Sequence, residues 1–71
     1  MQNVKIFSTD IKNSTQVHDI SLAICLLFPH SMVTVDLEDC DKVLRVEGDI
    51  PNNEYIINIL SNFGIRCDVL K

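Results

Sequence analysis

Residues 31–50 read SMVTVDLEDCDKVLRVEGDI and contain the clearest indication of the fold. Residues 31–37 alternate between apolar and mostly polar positions, which is the period of a strand with one buried face. Residues 38–42 are polar and short enough for a hairpin connection, and the alternation resumes over residues 43–47 before a glycine. The stretch therefore predicts two antiparallel strands joined by a turn.

A helix is predicted before this hairpin. Residues 13–16 supply side chains that cap helix N-termini well, and the helix must end before Pro29 because proline disfavours helical geometry in the preceding residue. The apolar residues between these limits recur every three or four positions, as on one helical face. They are Val17, Ile20, Ile24, Leu27 and Phe28.

A second helix is predicted after the hairpin, from Pro51 onward. Glu54 suits its first turn, and Gly64 stands where a left-handed C-terminal cap is expected. Its apolar stripe comprises Tyr55, Ile56, Ile59, Leu60 and Phe63.

Residues 4–9 and 65–70 are predicted as the first and last strands, since the first is rich in β-branched and aromatic residues and the second alternates. The order strand, helix, strand, strand, helix, strand predicts an α+β, ferredoxin-like βαββαβ fold over the single domain 1–71. Right-handed crossovers place both helices on one face of a four-stranded antiparallel sheet, and leave the other face open. The second and fourth strands would form the sheet edges, which suggests a homodimer by edge pairing or face stacking.

The composition excludes several classes of function. Six basic against ten acidic residues give a net charge of −4, so we expect neither nucleic acid nor anionic membrane as a partner. The longest apolar run, residues 22–28, is far shorter than the roughly 20 residues that span a bilayer, and residues 1–5 do not resemble a leader. Three cysteines without metal-ribbon or redox spacing predict reduced thiols in a cytoplasmic protein.

Residues 9–17 read TDIKNSTQV and follow the first predicted strand. They fit the frame of a Met-x-Cys-x-x-Cys loop, and on this frame the chain resembles the heavy-metal-associated domain, the small module of copper chaperones, mercury-binding proteins and metal-pumping ATPases. Ile11 stands at the methionine position, while Asn13 and Gln16 stand at the two cysteine positions. The segments VDLE (35–38), LRVEGD (44–49) and NFGI (62–65) are similar to the later parts of the family pattern.

The resemblance implies a metal-carrying scaffold whose diagnostic ligands are missing. Soft ions such as Cu(I) are held by thiolates, which neutral amide oxygens do not replace. Lys12 would further repel a cation at this loop. Asn13 and Gln16 have a structural interpretation instead, because an N-cap residue and a glutamine three positions later form a capping box.

Other residues with possible chemistry have ordinary explanations. Cys25 and Cys67 are predicted to be small buried core residues, and Cys40 an exposed thiol that could otherwise oxidise, bridge two molecules or bind metal. His18 and His30 are about 18 Å apart along a helix, too far to share one ion. Acidic residues occur at 36, 38, 39 and 41, but this segment has neither the central glycine nor the terminal glutamate that a calcium-binding loop requires. A solvated turn is therefore expected here.

The sequence predicts a cytoplasmic binding or interaction module with a degenerate metal site and no cofactor. Its partner would be a protein or a small ligand. An enzyme is not expected, because Ser14 and Thr15 have no arranged base and no phosphate loop is present, unlike in acylphosphatases of the same topology. The alternative is a metal-binding or transport protein, similar to a copper chaperone, that uses unusual ligands such as His18 with a cysteine from a second subunit.

Overall fold

The computed structural model describes residues 3–70 and confirms the predicted ferredoxin-like fold. The sheet has the strand order β2-β3-β1-β4, with every neighbouring pair antiparallel. The two helices contact each other on one side of it. The elements are β1 (Asn3–Thr9), α1 (Ser14–Leu27), β2 (Met32–Asp36), β3 (Val43–Gly48), α2 (Asn53–Asn62) and β4 (Cys67–Val69).

The alternation of apolar and polar residues in the hairpin determines which strand side chains are buried in the core. In β3, Leu44 and Val46 are fully buried between exposed or half-buried neighbours. The register places Leu44 beside Phe7 of β1 and Val35 of β2, so these side chains share the helix-covered face of the sheet. This row forms the centre of the core, which comprises Phe7, Ile11, Ile20, Ile24, Leu44, Val46, Ile50, Ile56, Ile59, Leu60, Ile65 and Cys67.

The second helix ends as its glycine predicts. Gly64 has a φ of +72°, and its N–H donates to Ser61 O at 2.9 Å while Ile65 N donates to Leu60 O at 2.9 Å. These two bonds make a Schellman cap, in which the backbone reverses and an apolar residue returns to the helix. Ile65 and Leu60 are accordingly both buried.

Several predicted core positions lie at the surface instead. Leu27 is 60% exposed, and Tyr55 and Phe63 are each nearly half exposed. The rings of Tyr55 and Phe28 pack edge-to-face with centroids 5.7 Å apart. This contact joins α2 to the C-terminal end of α1 at the surface. Cys25 is exposed, which corrects the prediction that it is buried. At 100° per residue it lies outside the stripe centred on Ile20 and Ile24.

Candidate functional site

The loop between β1 and α1 is held in place by its neighbours. Thr9 Oγ1 donates to Lys42 O at 2.6 Å and accepts from Ile11 N at 3.3 Å. Asp10 N donates to Arg66 O at 3.3 Å, and Arg66 N donates to Asp10 Oδ1 at 2.8 Å. The loop is therefore tied both to the β2–β3 hairpin and to the segment before β4.

Ile11, at the position that the resemblance to the heavy-metal-associated domain gives to a methionine, is fully buried. It belongs to the same apolar cluster as Phe7 and Ile65. Its side chain therefore anchors the loop to the core, and it offers no ligand atom to a metal ion.

Asn13 and Gln16 both cap α1. Asn13 has an extended backbone, with φ −154° and ψ 169°, and its Oδ1 accepts from Gln16 N at 2.9 Å. Gln16 Oε1 accepts from Lys12 N at 2.7 Å. The predicted cap is thus present, but its return bond reaches Lys12, one residue before the donor of a standard capping box.

A cleft of about 200 Å³ opens beside this loop, where the sheet brings three segments together. Cys40 lines this cleft together with Thr9 and Asp10 of the loop. The sequence pattern did not predict this proximity, because it depends on the register of β3 against β1. The predicted topology could have indicated this proximity, because antiparallel pairing of β1 with β3 places the end of β1 beside the start of β3. The cleft is lined by Ser8, Thr9, Asp10, Cys40, Asp41 and Arg66.

The hairpin turn also carries a group of possible metal ligands. One ligand atom each of Asp39, Cys40 and Asp41 lies within 4.8 Å of the others, and between residues 3 and 70 no other group of three was found. His18 and His30 are exposed and lie outside this group. The turn itself explains Asp39, because its Oδ1 accepts from Asp41 N at 2.8 Å.

The three cysteines differ in their surroundings. All are free, with Cys25 and Cys40 exposed and Cys67 buried. Burial, aided by the negative charge of Asp68, raises the pKa of the Cys67 thiol to about 12. A raised pKa is the opposite of what activates a thiol as a nucleophile or ligand.

Thiol labelling at pH 8 is expected to distinguish the three positions. Cys25 and Cys40 should react rapidly with Ellman's reagent, whereas Cys67 should react only after denaturant is added, because burial keeps it protonated and inaccessible. A Cys67→Ala variant provides the control, since it should lose the slow reaction and keep both fast ones. Three equally fast reactions in the native protein would contradict this assignment.

No helix within the described residues is both long enough and apolar enough to cross a membrane. Comparisons with protein-family models, curated proteins and solved structures found no match to the chain.

Proposed function

We propose that this chain is a non-enzymatic binding module of the cytoplasm, built on a scaffold that resembles the heavy-metal-associated domain but does not carry soft metals in its loop. The observation that carries the proposal is the use of Asn13 and Gln16. Both amide oxygens accept backbone hydrogen bonds at the start of α1. The loop therefore performs a structural task where the family pattern places two metal-binding thiolates.

The cysteines support the same interpretation. All three thiols are free. Cys67 is buried with a raised pKa, and Cys25 lies in the second half of α1, far along the helix from the loop. Cys40 borders the loop through the cleft beside Thr9 and Asp10, and Cys67 pairs with Thr9 across β1 and β4 but is buried.

The exposed apolar surface favours binding as the function. Leu22 is 52% and Leu26 83% exposed, and they lie one helical turn apart on the outside of α1. A second cleft of about 200 Å³ opens at the end of α1 away from the loop, lined by residues 27–31 and Asp49. Surface features of this kind are typical of proteins that bind a partner.

Restoring the missing thiolates should create a metal site that the natural chain lacks. The Asn13→Cys, Gln16→Cys variant is expected to bind one Cu(I) per chain, because it places two thiolates at a helix N-terminus, which lowers their pKa. The natural chain should stay metal-free under the same conditions. Native mass spectrometry of the reduced proteins after incubation with Cu(I) and with Zn²⁺ measures both.

An Asn13→Ser, Gln16→Ser variant is the matched control, since it removes both amides without adding a thiol. It should bind no metal. One tightly bound ion in the natural chain would overturn the proposal and favour the alternative of a metal carrier with unusual ligands. Cys40→Ser and His18→Ala variants would then show whether the hairpin turn or α1 supplies those ligands.

A further inference from the structure

We propose that two copies of this chain pair along β2, which joins their sheets into one eight-stranded sheet. This inference concerns a surface outside the loop and does not depend on whether that loop binds metal. It rests on the difference between the two sheet edges, on the side chains that the pairing would bring together, and on the exposed side of α1.

The two edges of the sheet differ in how they are protected. β4 is three residues long, and Arg66, immediately before it, forms an ion pair with Asp68 at 2.9 Å. Short length and charged side chains are the usual means by which an edge avoids pairing. β2 has five residues, MVTVD, with no lysine, arginine, proline or glycine among them. Its outer backbone groups are therefore the better template for another strand.

Pairing about a two-fold axis at Thr34 uses all five residues of β2. In an antiparallel pair centred there, Thr34 faces Thr34 of the other copy, Val33 faces Val35, and Met32 faces Asp36. Threonine pairs and pairs of β-branched residues are favourable across strands. The single acidic residue faces methionine, so no like charges stand opposite each other.

The pairing would also bury the exposed parts of Val33 and Val35. Val33 and Val35 lie on the helix-covered face of β2, packed against the core but only half-buried. Because a two-fold axis perpendicular to the sheet keeps the helices of both copies on the same face, these valines would meet their counterparts beneath the helices. The pairing thus extends the core across the boundary between copies.

The position of α1 fits this arrangement. α1 contacts β2, and its buried Ile20 and Ile24 belong to the core that Leu44 and Val46 of β3 also enter, so we take the helix to lie over the β2 side of the sheet. With strands about 4.8 Å apart, a helix axis above the β2–β3 pair lies about one strand spacing from the two-fold axis. Two copies of α1 would therefore be roughly 10 Å apart, the distance at which helices pack.

The C-terminal half of the side of α1 that would meet its copy is apolar, while the N-terminal half of that side carries Asp19. Phe28 marks the side towards α2, through its contact with Tyr55. At 100° per residue, Ala23 and Leu26 lie on the opposite side, and Leu27 lies between that side and the core. Ala23 is small enough to permit close approach, while Leu26 and Leu27 are among the most exposed apolar side chains. Pairing along β2 would bury them.

Sedimentation of the natural chain should show a dimer that forms as the concentration rises towards ~1 mM. Thr34→Lys should weaken this dimer at least about tenfold, because it places two like charges opposite each other at the two-fold axis. Ser61→Lys adds the same charge at an exposed position of α2 and should leave the dimer unchanged. A single species of 8.1 kDa at the highest concentration would overturn the proposal.

Cross-linking tests the register independently of Thr34→Lys. In a Cys25→Ser, Cys40→Ser background, Thr34→Cys should form a covalent dimer with oxidised glutathione, because opposed residues lie about 4.5–5.5 Å apart, within disulfide reach. Met32→Cys is the matched control. Its two copies would be four residues out of register, roughly 13 Å apart, and should not cross-link. Equal cross-linking of both variants, or of neither, would contradict the two-fold pairing at Thr34.

Discussion

Replacing Phe7 with alanine is expected to leave the domain largely unfolded at 25 °C. Phe7 is fully buried and lies in β1, opposite Leu44 on one side and Val69 on the other. Truncation of a buried phenylalanine to alanine costs about 3–5 kcal/mol. A core in a chain of this size rarely supplies more than about 3–5 kcal/mol in total. Far-UV circular dichroism and a urea titration measure the loss.

Phe63→Ala provides the matched control for this prediction. It removes the same atoms from a side chain that is 44% exposed at the end of α2. The variant should keep a cooperative urea transition and lose less than half as much free energy of unfolding as Phe7→Ala. A Phe7→Ala variant whose transition midpoint matches that of the natural chain would show that the core does not depend on this ring.

The fold could be predicted because its signals are local and agree with one another. The alternation in residues 31–47 identifies two strands and their inward faces, and Leu44 and Val46 are buried as it requires. Gly64 predicts the end of α2 because few other residues adopt its backbone conformation readily. Each of these features depends on residues close in sequence, so a single sequence contains it.

The exposed half of α1 could not be predicted from the same kind of pattern. Residues 22–28 are all apolar, so hydrophobic periodicity does not indicate which of them face inward. Which of these side chains are buried depends on the strands against which the helix packs. Ile24 packs on the sheet and is fully buried, whereas Leu26 is 83% exposed. A contiguous apolar run in a small two-layer domain therefore supplies both core and exposed surface.

The candidate site was predictable in part for the same reason. The cap that Asn13 makes is a local feature and was predicted. Which backbone N–H donates to Gln16 Oε1 was not predicted, because it depends on the path of the chain into the helix. The position of Cys40 beside Thr9 depends on the pairing of β1 with β3 and on the bond from Thr9 N to Asp41 O, 2.9 Å long. These contacts join residues more than 30 positions apart, which no local pattern specifies.

Gly48→Ala is expected to cost about 2–4 kcal/mol of stability, from backbone strain and overpacking together. Gly48 ends β3 with a φ of +148°, a conformation that side-chain-bearing residues rarely adopt. An added Cβ would lie 3.1 Å from Ser31 Cα and 3.2 Å from Ser31 Cβ. Ser31 has little freedom to move away, because its N and Oγ both donate to Phe28 O, at 3.0 and 2.7 Å.

Gly64→Ala provides a comparison in which the added methyl group has no steric contact. Gly64 also has a positive φ, +72°, but an added Cβ there meets nothing within 4 Å. It should therefore cost only the backbone strain, about 1–2 kcal/mol, and urea titrations of the two variants should rank Gly48→Ala as clearly the more damaging. Equal losses would mean that the turn from Phe28 to Ser31 shifts to accept the methyl group. In that case the close approach of β3 to Ser31 would not be what requires glycine at position 48.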